Sequence, residues 1–260
     1  MATALITGAS SGIGMEIAKE LARRKYDLVL TARREDKLRE IEKLLSPHVK
    51  ITVLPFDLAQ DDAPQQLFDA LQGHPIDILV NNAGFADFGA FAESDWKKMS
   101  ALLHVNILAL TQLTRLFLPQ MIERKKGRIL NVASTAAFLP GPWMSVYYAS
   151  KAYVLSFSDA LANETARTGV SVTCLCPGPT HSEFQERAGM QSSKIMEGAL
   201  MHAKPVARLG VAAMMRGQKT VVPGLFNRVL VQVPRFASRA ALAQMVRKAQ
   251  EPLARPQSPS

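Results

Sequence analysis

Cysteine is scarce in this sequence, and its scarcity excludes a fold held together by disulfides. The 260 residues contain only Cys174 and Cys176, two apart in an apolar stretch where a strand would direct both side chains to one face. That spacing is too constrained for an ordinary disulfide, so we expect reduced core thiols in a reducing compartment. Because 48% of the residues are hydrophobic, a core can form without disulfides or metals.

Several other signals are also lacking. No apolar run reaches the roughly 18 residues of a membrane span, and the N-terminus enters an apolar strand without the regions of a signal peptide. We therefore expect a cytoplasmic protein. The five histidines show no metal-ligand spacing, so no metal site is expected. There is no Gly-x-Ser-x-Gly elbow to supply a hydrolase nucleophile.

Acidic residues are nearly absent from the C-terminal part of the chain. Residues 187–260 contain 12 Lys or Arg but only Glu197 and Glu251, so the net charge of +9 is located there. Such a basic end can steer an acidic ligand or an anionic membrane surface, or it can be a solvated face without a partner. It lacks interleaved aromatic residues and known nucleic-acid motifs, so a nucleic-acid partner is not expected.

What the sequence does contain is a regular alternation of short apolar runs and helical patterns. Runs such as TALIT, DLVLTA and GRILNVAS are each followed by a helical segment, as is typical of parallel strands buried on both faces. The pattern predicts an α/β fold with a doubly wound parallel sheet, Rossmann-like and three-layered (αβα), in a single domain over residues 1–224. A long helix is expected from about Ser94 to Lys125.

The alternation ends after Thr180. Residues 181–204 have a helical, methionine-rich pattern that we interpret as a substrate lid, and KTVVPG has the pattern of a last short strand. Residues 225–250 form a basic helical extension that ends in the helix RAALAQMVRKAQ, and we expect it to dock on a neighbouring subunit or on a membrane surface. Residues 251–260 are expected to be a disordered tail.

Two motifs predict a dinucleotide site. The first strand runs into TGASSGIG, where glycines let the backbone approach a pyrophosphate at a helix N-terminus; a plain glycine-rich turn is the alternative. About twenty residues on, where an NAD-binding fold carries an acid, the sequence has Arg33 and Arg34. Two guanidinium groups suit a 2′-phosphate, so NADP(H) is the expected cofactor; a surface arginine pair is the alternative.

A further motif, SVYYASKA, sets two tyrosines ahead of a lysine. Residues four apart share a helix face, so Tyr147 and Lys151 can point into one site. Tyr148 is three residues from the lysine, and spacing alone does not separate the two tyrosines. Asn106, inside the apolar stretch LLHVNILAL, is a polar residue whose burial needs a reason.

These motifs, in this order, resemble the short-chain dehydrogenase/reductase family over about residues 3–180. The other matching segments are FDL, NNAG at residues 81–84, NVAS and PGPT at residues 177–180. Ser11 departs from the basic residue that some NADP-binding members carry. The resemblance implies four catalytic residues, namely Asn106, Ser134, Tyr147 and Lys151. It also implies cofactor contacts from Gly8, Ser10, Ser11, Gly12, Ile13, Gly14, Arg33, Arg34, Asp57, Leu58, Asn82, Ala83, Gly84, Tyr147, Lys151, Pro177, Gly178 and Thr180.

The resemblance also implies the roles of the four residues. The family pattern Tyr-x-x-x-Lys assigns acid/base chemistry to Tyr147 and leaves Tyr148 in the pocket wall or core. Lys151 would lower the pKa of the phenol, which is about 10 when unperturbed, and hold the nicotinamide ribose. Ser134 would bind the substrate oxygen, and Asn106 would position a water next to Lys151. A homodimer or homotetramer through the long helices before and after Ser134 is also implied.

Large apolar residues around the expected nicotinamide position predict a hydrophobic substrate pocket, although each of them can equally be core. They are Phe85, Phe88, Phe91, Phe138, Leu139, Trp143, Met144, Phe184, Met190, Ile195, Met196 and Leu200. The predicted function is an NADP(H)-dependent carbonyl reductase or alcohol dehydrogenase for an apolar ketone or aldehyde. The alternatives are a 3-ketoacyl-thioester reductase and a non-catalytic NADP(H)-binding redox sensor.

Overall fold

The sheet has seven parallel strands, as the alternation of apolar runs predicts. The computed structural model describes residues 1–181, 183 and 200–250. Its strands are β1 (Thr3–Thr7), β2 (Asp27–Thr31), β3 (Ile51–Val53), β4 (Ile78–Asn81), β5 (Gly127–Val132), β6 (Val170–Leu175) and β7 (Thr220–Val221). Their order is β3-β2-β1-β4-β5-β6-β7, which confirms a doubly wound sheet whose order reverses between β1 and β4.

Helices cover both faces of the sheet. They are α1 (Gly12–Arg23), α2 (Glu35–Leu45), α3 (Ala63–Asp69), α4 (Trp96–Leu103), α5 (Leu110–Glu123), α6 (Ser145–Glu164), α7 (Ala203–Met215), α8 (Leu225–Leu230) and α9 (Arg239–Gln250). Short 3₁₀ segments lie at Phe91–Glu93, Thr135–Phe138 and Val233–Arg235. The helix α9 covers the residues for which the sequence predicts a final helix.

The core is divided by the sheet into two apolar layers. Within β1, Ile6 packs on the α1 side with Ile17 and Leu21, whereas its neighbour Leu5 packs on the opposite side with Phe117. Successive residues of a strand point to opposite faces, so a strand buried on both faces must be apolar throughout. This is the physical reason why the strands are recognisable in the sequence as continuous apolar runs.

The predicted long helix is continuous over Trp96–Glu123, because the π-helical turn His104–Ala109 joins α4 to α5. This turn contains Asn106, and π-helical turns inside α-helices are frequent at functional sites. Among the described residues, Trp96–Glu123 is also the one helix whose length and hydropathy alone would allow it to span a membrane. The sequence was expected to contain no such segment. Of the apolar window of this helix, 44% is buried in the fold.

The predicted lid is described only at its ends. The backbone N–H of Met201 donates to the carbonyl of Pro179, and the N–H of His181 donates to the carbonyl of Met201, so the two described ends of this segment lie side by side. Residues 182 and 184–199, and the predicted tail at 251–260, lie outside the described residues. The division at residue 224 stays a prediction.

Candidate active site

A single continuous cleft lies at the carboxyl ends of the strands, where open α/β sheets bind their ligands. Loops after β1, β2, β4, β5 and β6 form its walls. All of the residues expected to contact a cofactor line it except Gly14, and Ser134 lines it as well. The topology therefore gathers motifs that lie far apart along the chain into one site.

The glycine loop is fitted closely to the turn after β4. Gly8 has φ +63°, and a Cβ on it would lie 2.8 Å from Ala83 Cα. Gly14 lies behind the loop, where a Cβ would collide with the Gly8 carbonyl. The amide of Asn82 donates to the carbonyls of Thr7 and Gly8, which fixes the loop to this turn. The open N-terminus of α1 thus faces the cleft and fits a pyrophosphate.

The arginine pair lies at the far end of the same cleft. Arg33 is exposed at the cleft wall. Arg34 forms an ion pair with Glu183 (Nη2 to Oε2, 2.8 Å), and its Nη2 lies 3.4 Å from Ser10 Oγ. Two cations beside the glycine loop fit a phosphorylated ribose. Sequence reasoning did not foresee Glu183, because no motif marks its approach to Arg34.

Asp57 lies on the adenine side of the cleft. Its Oδ1 accepts from the N–H of Ala59 at 3.1 Å, and it lines the wall together with Phe56 and Leu58. The segment after β3 is thus held in a tight turn that presents its backbone to the cleft. This position matches the cofactor contact that the family resemblance implies.

Three of the four expected catalytic residues meet at the opposite end. The hydroxyl of Ser134 accepts from the N–H of Ala136 at 3.1 Å and is hydrogen-bonded to the buried phenol of Tyr147. One helical turn further on, Lys151 is buried, and its Nζ donates to the carbonyl of Val132 at 2.9 Å. Its Nζ lies 5.8 Å from the centroid of the Tyr147 ring.

Asn106 does not line the cleft but supports it from behind. Its Oδ1 accepts from the N–H of Phe85 at 3.1 Å, while its Nδ2 donates to the Phe85 carbonyl and to Ser150 Oγ, both at 3.0 Å. Ser150 Oγ donates to the carbonyl of Tyr147. A Cβ on Gly84 would lie 3.1 Å from Asn106 Oδ1 and 3.4 Å from Lys151 Nζ, so Asn106 stays close to the lysine. Ser150 lies inside the motif SVYYASKA, but at one of its variable positions, and sequence reasoning missed it.

Burial shifts both titratable groups of the site. It raises the pKa of Tyr147 to about 12, an effect that the hydrogen bond with Ser134 partly offsets. It lowers the pKa of Lys151 to about 8, opposed by the thiols of Cys174 and Cys176. The pKa of Tyr147 is therefore raised by burial rather than lowered by Lys151 as expected. The Lys151 ammonium donates to the carbonyl of Val132, and its Nζ lies 5.8 Å from the centroid of the tyrosine ring.

Both cysteines are free and buried, with their sulfurs 3.7 Å apart, as the sequence predicts. The hydrogen bond with Cys174, together with burial, raises the pKa of the Cys176 thiol.

Replacing Lys151 by methionine is expected to stabilise the fold while abolishing activity. Lowering the pKa of Lys151 from 10.5 to about 8 means that burying its charge costs the folded protein about 3 kcal/mol. Methionine avoids this cost but also loses the hydrogen bond to Val132, which is worth about 1 kcal/mol. Urea denaturation at neutral pH should therefore show the free energy of unfolding raised by about 2 kcal/mol.

The pH dependence of that difference is a built-in control. Between pH 8 and 10.5 the unfolded wild-type chain binds more protons than the folded chain at Lys151, so wild-type stability rises with pH. The advantage of the methionine variant should therefore be largest below pH 8 and should reverse above pH 10.5, where only the loss of the hydrogen bond remains. A difference that does not change over this range would show that folding does not lower the pKa of Lys151.

Among the residues that the structure describes, fewer large apolar side chains line the cleft than the sequence predicts. Phe85 and Met144 line it together with Tyr147 and Tyr148. Five residues expected there lie elsewhere, namely Phe88, Phe91, Phe138, Leu139 and Trp143. Phe91 is exposed on a 3₁₀ segment, and Phe138 packs under the sheet beside Cys174. Leu200 is partly buried but does not line the cleft; Phe184, Met190, Ile195 and Met196 lie outside the described residues.

Sequence reasoning missed one residue of the apolar side, Gln250. It is the last residue of α9 and reaches the cleft from the C-terminal extension. No local pattern marks it, because it lies about a hundred residues from the tyrosines that it contacts. The extension was expected to dock on another molecule, yet α9 packs on its own chain, with Leu242 and Val246 buried.

A glycine loop, an arginine pair and a Ser-Tyr-Lys cluster in one cleft define a dinucleotide-dependent oxidoreductase site. Residues 2–192 match the family described as short chain dehydrogenase. The chain belongs to the short-chain dehydrogenase/reductase family.

Individual relatives agree with this assignment. The chain is 34% identical to "Ketoacyl reductase HetN" of Nostoc sp. over 213 residues, which cover 77% of this chain and 74% of that protein. It is 36% identical to the rat (Rattus norvegicus) "Very-long-chain 3-oxoacyl-CoA reductase" over 181 residues, 67% of this chain and 58% of that one. A solved structure of a short-chain dehydrogenase from Sphingobium yanoikuyae in complex with NADPH has a TM-score of 0.82 and 30% identity, covering 92% and 98% of the two chains.

Proposed function

We propose that this oxidoreductase is an NADP(H)-dependent carbonyl reductase, or alcohol dehydrogenase, for an apolar ketone or aldehyde. The observation that carries the proposal is the convergence of Ser134, Tyr147 and Lys151 in the cleft that also holds the glycine loop and the arginine pair. A protein that only bound the dinucleotide would have no chemical need for a buried tyrosine beside a buried lysine. The test is NADPH consumption on addition of an apolar ketone.

The described side chains suit the reductive direction. When bound, the nicotinamide supplies hydride to the carbonyl carbon, and negative charge develops on the oxygen. With its pKa raised to about 12, Tyr147 is protonated at neutral pH and can donate its proton to that oxygen. Ser134 can hold the same oxygen, and its hydrogen bond with Tyr147 favours the tyrosinate that remains.

NADP(H) rather than NAD(H) is part of the proposal. Its support is the presence of Arg33 and Arg34 at the cleft wall, where a 2′-phosphate would gain charge-assisted hydrogen bonds. The Sphingobium relative is described with NADPH, in agreement with this preference.

A second candidate is a 3-oxoacyl-thioester reductase. It is favoured by the relatives named as ketoacyl and 3-oxoacyl-CoA reductases, and the basic C-terminal residues would attract an acidic carrier or coenzyme. Attraction between exposed charges is screened by salt. The test measures KM at increasing ionic strength. This candidate is favoured if KM for acetoacetyl-CoA rises while KM for an uncharged ketone stays constant.

We also propose a homodimer or homotetramer and a cytoplasmic location. The support for an oligomer is apolar surface on the two long helices, where Leu108, Ile122 and Tyr153 are exposed. The support for the location is the pair of free, buried thiols, which suits a reducing compartment. Light scattering on the purified protein and fractionation of cells test the two proposals.

A separate exposed apolar surface, residues 225–236, is the basis for proposing peripheral membrane contact. Leu225, Phe226 and Phe236 are 77%, 78% and 88% exposed, and the exposed Arg228 and Arg235 flank them. Aromatic residues beside arginines fit the interface of an anionic bilayer. The apolar face of α9 packs against its own chain. The exposed residues of 225–236 are therefore the part of the extension that we propose contacts a second molecule.

The double change Phe226→Asp with Phe236→Asp is expected to reduce co-sedimentation with phosphatidylglycerol vesicles about tenfold without altering the oligomeric state. Leu44→Asp, at an exposed leucine on α2, is the matched control. A double variant that loses its oligomeric state would assign the surface to a subunit contact. Equal vesicle binding by all three proteins would contradict a membrane role.

A further inference from the structure

The end of α9 brings a buried amide to the substrate side of the cleft. Gln250 is 1% exposed and lines the cleft beside Met144 and Tyr148. Its Nε2 donates to the Tyr148 hydroxyl at 2.5 Å and lies 3.6 Å from Met144 Sδ. Its Oε1 is buried and has no hydrogen-bond partner among the described residues. A buried amide oxygen without a partner is unfavourable. Turning the amide by 180° lets this oxygen accept from Tyr148 and leaves the amide N–H groups to be satisfied by a ligand.

The amide is held in place by a helix rather than by a loose end. Val246 and Leu242, one and two turns before Gln250, are buried against the chain. The guanidinium of Arg247 lies 5.9 Å from the centroid of the Trp143 ring. A polar group placed on a packed helix is positioned accurately enough to select a ligand.

Tyr148 and Gln250 together retain an unused hydrogen-bond donor. In the orientation described, the Tyr148 oxygen accepts from Gln250, so its own O–H remains available to donate. If the amide is turned by 180°, Tyr148 donates to the amide oxygen and the amide N–H groups become available instead. In either orientation the pair can donate to an oxygen atom in the cleft.

This donor lies close to the reacting position. The rings of Tyr147 and Tyr148 meet edge to face with their centroids 6.1 Å apart, and both residues line the same cleft. A substrate oxygen that reaches Tyr148 must therefore lie only a few bonds from the carbonyl that is bound at Tyr147.

We propose that Tyr148 and Gln250 bind a second oxygen of the substrate, one carried close to the ketone that is reduced. The inference rests on the proposed function, since it requires a ketone at Tyr147. It narrows the substrate class to ketones with a neighbouring carbonyl, such as 3-oxo esters and thioesters, over ketones on a plain hydrocarbon chain. A purely apolar substrate would leave the buried amide unpaired.

The test compares two uncharged ketones with the same apolar tail. Methyl 3-oxodecanoate carries the second carbonyl, whereas nonan-2-one keeps the heptyl ketone without it. The measured quantity is the ratio of kcat/KM for the first ketone to that for the second, with NADPH. Gln250→Met removes the amide at nearly constant shape, Tyr148→Phe removes the hydroxyl, and Gln244→Met makes the same change at an exposed position of α9.

The ratio is expected to fall about tenfold in Gln250→Met and in Tyr148→Phe, as for the loss of one buried hydrogen bond, and to stay at the wild-type value in Gln244→Met. Because the two groups act together, the double variant should lose little more than either single variant. NADPH binding, followed by nicotinamide fluorescence, shows that each variant is folded.

An unchanged ratio in both variants would overturn the inference, even if both kcat/KM values fell together, because that is the result of a structural role alone. If wild-type protein binds NADPH but reduces neither ketone, the proposed function itself is contradicted, and the inference falls with it. The two failures are therefore distinguishable.

Discussion

Replacing Tyr147 by phenylalanine is expected to lower kcat for ketone reduction about a thousandfold, the effect typical of a lost general acid. Tyr147 is buried, is hydrogen-bonded to Ser134 and lies one turn from Lys151, so no other described side chain is placed to give the substrate oxygen a proton in the same way. NADPH should still bind, because the glycine loop and the arginine pair are unchanged. Stopped-flow measurement of NADPH oxidation gives kcat, and fluorescence titration gives the Kd.

Tyr153→Phe is the matched control for this change. Tyr153 lies on the same helix, α6, but its hydroxyl faces outward and is 2.9 Å from Thr111 Oγ1. Removing this hydroxyl should leave kcat within about twofold of wild type, because an exposed hydrogen bond contributes little. If Tyr147→Phe retained full activity, the assignment of acid/base chemistry to Tyr147 would be wrong.

The second large effect concerns cofactor choice. Arg33→Asp is expected to weaken NADPH binding about a hundredfold, because a charge-assisted hydrogen bond is lost and a carboxylate is placed near the 2′-phosphate. NADH, which lacks that phosphate, should bind at least as well as it does to wild type. Fluorescence titration of both proteins with both cofactors measures the change in preference.

Arg39→Asp separates a local effect from one of net charge. Arg39 lies on α2 and forms exposed ion pairs with Glu35 and Glu42, which contribute little to stability. The substitution changes the net charge by the same amount as Arg33→Asp but should leave NADPH affinity nearly unchanged. Equal losses in both variants would mean that Arg33 acts only through the general field of the protein.

Much of the fold was predictable because its signals are local. Strands buried on both faces must be apolar at every position, and each strand is followed by a helical period, so the doubly wound sheet could be inferred directly. The final helix Arg239–Gln250 and the short strand Thr220–Val221 were predicted for the same reason. The π-helical turn around Asn106 was not, because no residue type specifies an extra residue in a helical turn.

Site residues that belong to a sequence motif were predictable. Site residues that reach the cleft only through tertiary contacts were not. The motif residues lie around one cleft because the carboxyl ends of parallel strands share an edge of the sheet. Glu183 and Gln250, in contrast, reach the cleft from segments distant in the sequence. The pKa of Tyr147 also depends on its burial and on the side-chain hydrogen bonds of Tyr147 and Lys151, which the motif does not specify.

One measurement tests the central claim most directly. Protein, NADPH and methyl 3-oxodecanoate are mixed, and nicotinamide absorbance is followed while mass spectrometry identifies the product. The account predicts loss of NADPH that matches formation of the 3-hydroxy ester mole for mole, and no such loss with Tyr147→Phe. Tight binding of NADPH without oxidation, with this ketone and with a panel of apolar ketones, would contradict it and favour a non-catalytic, dinucleotide-sensing protein.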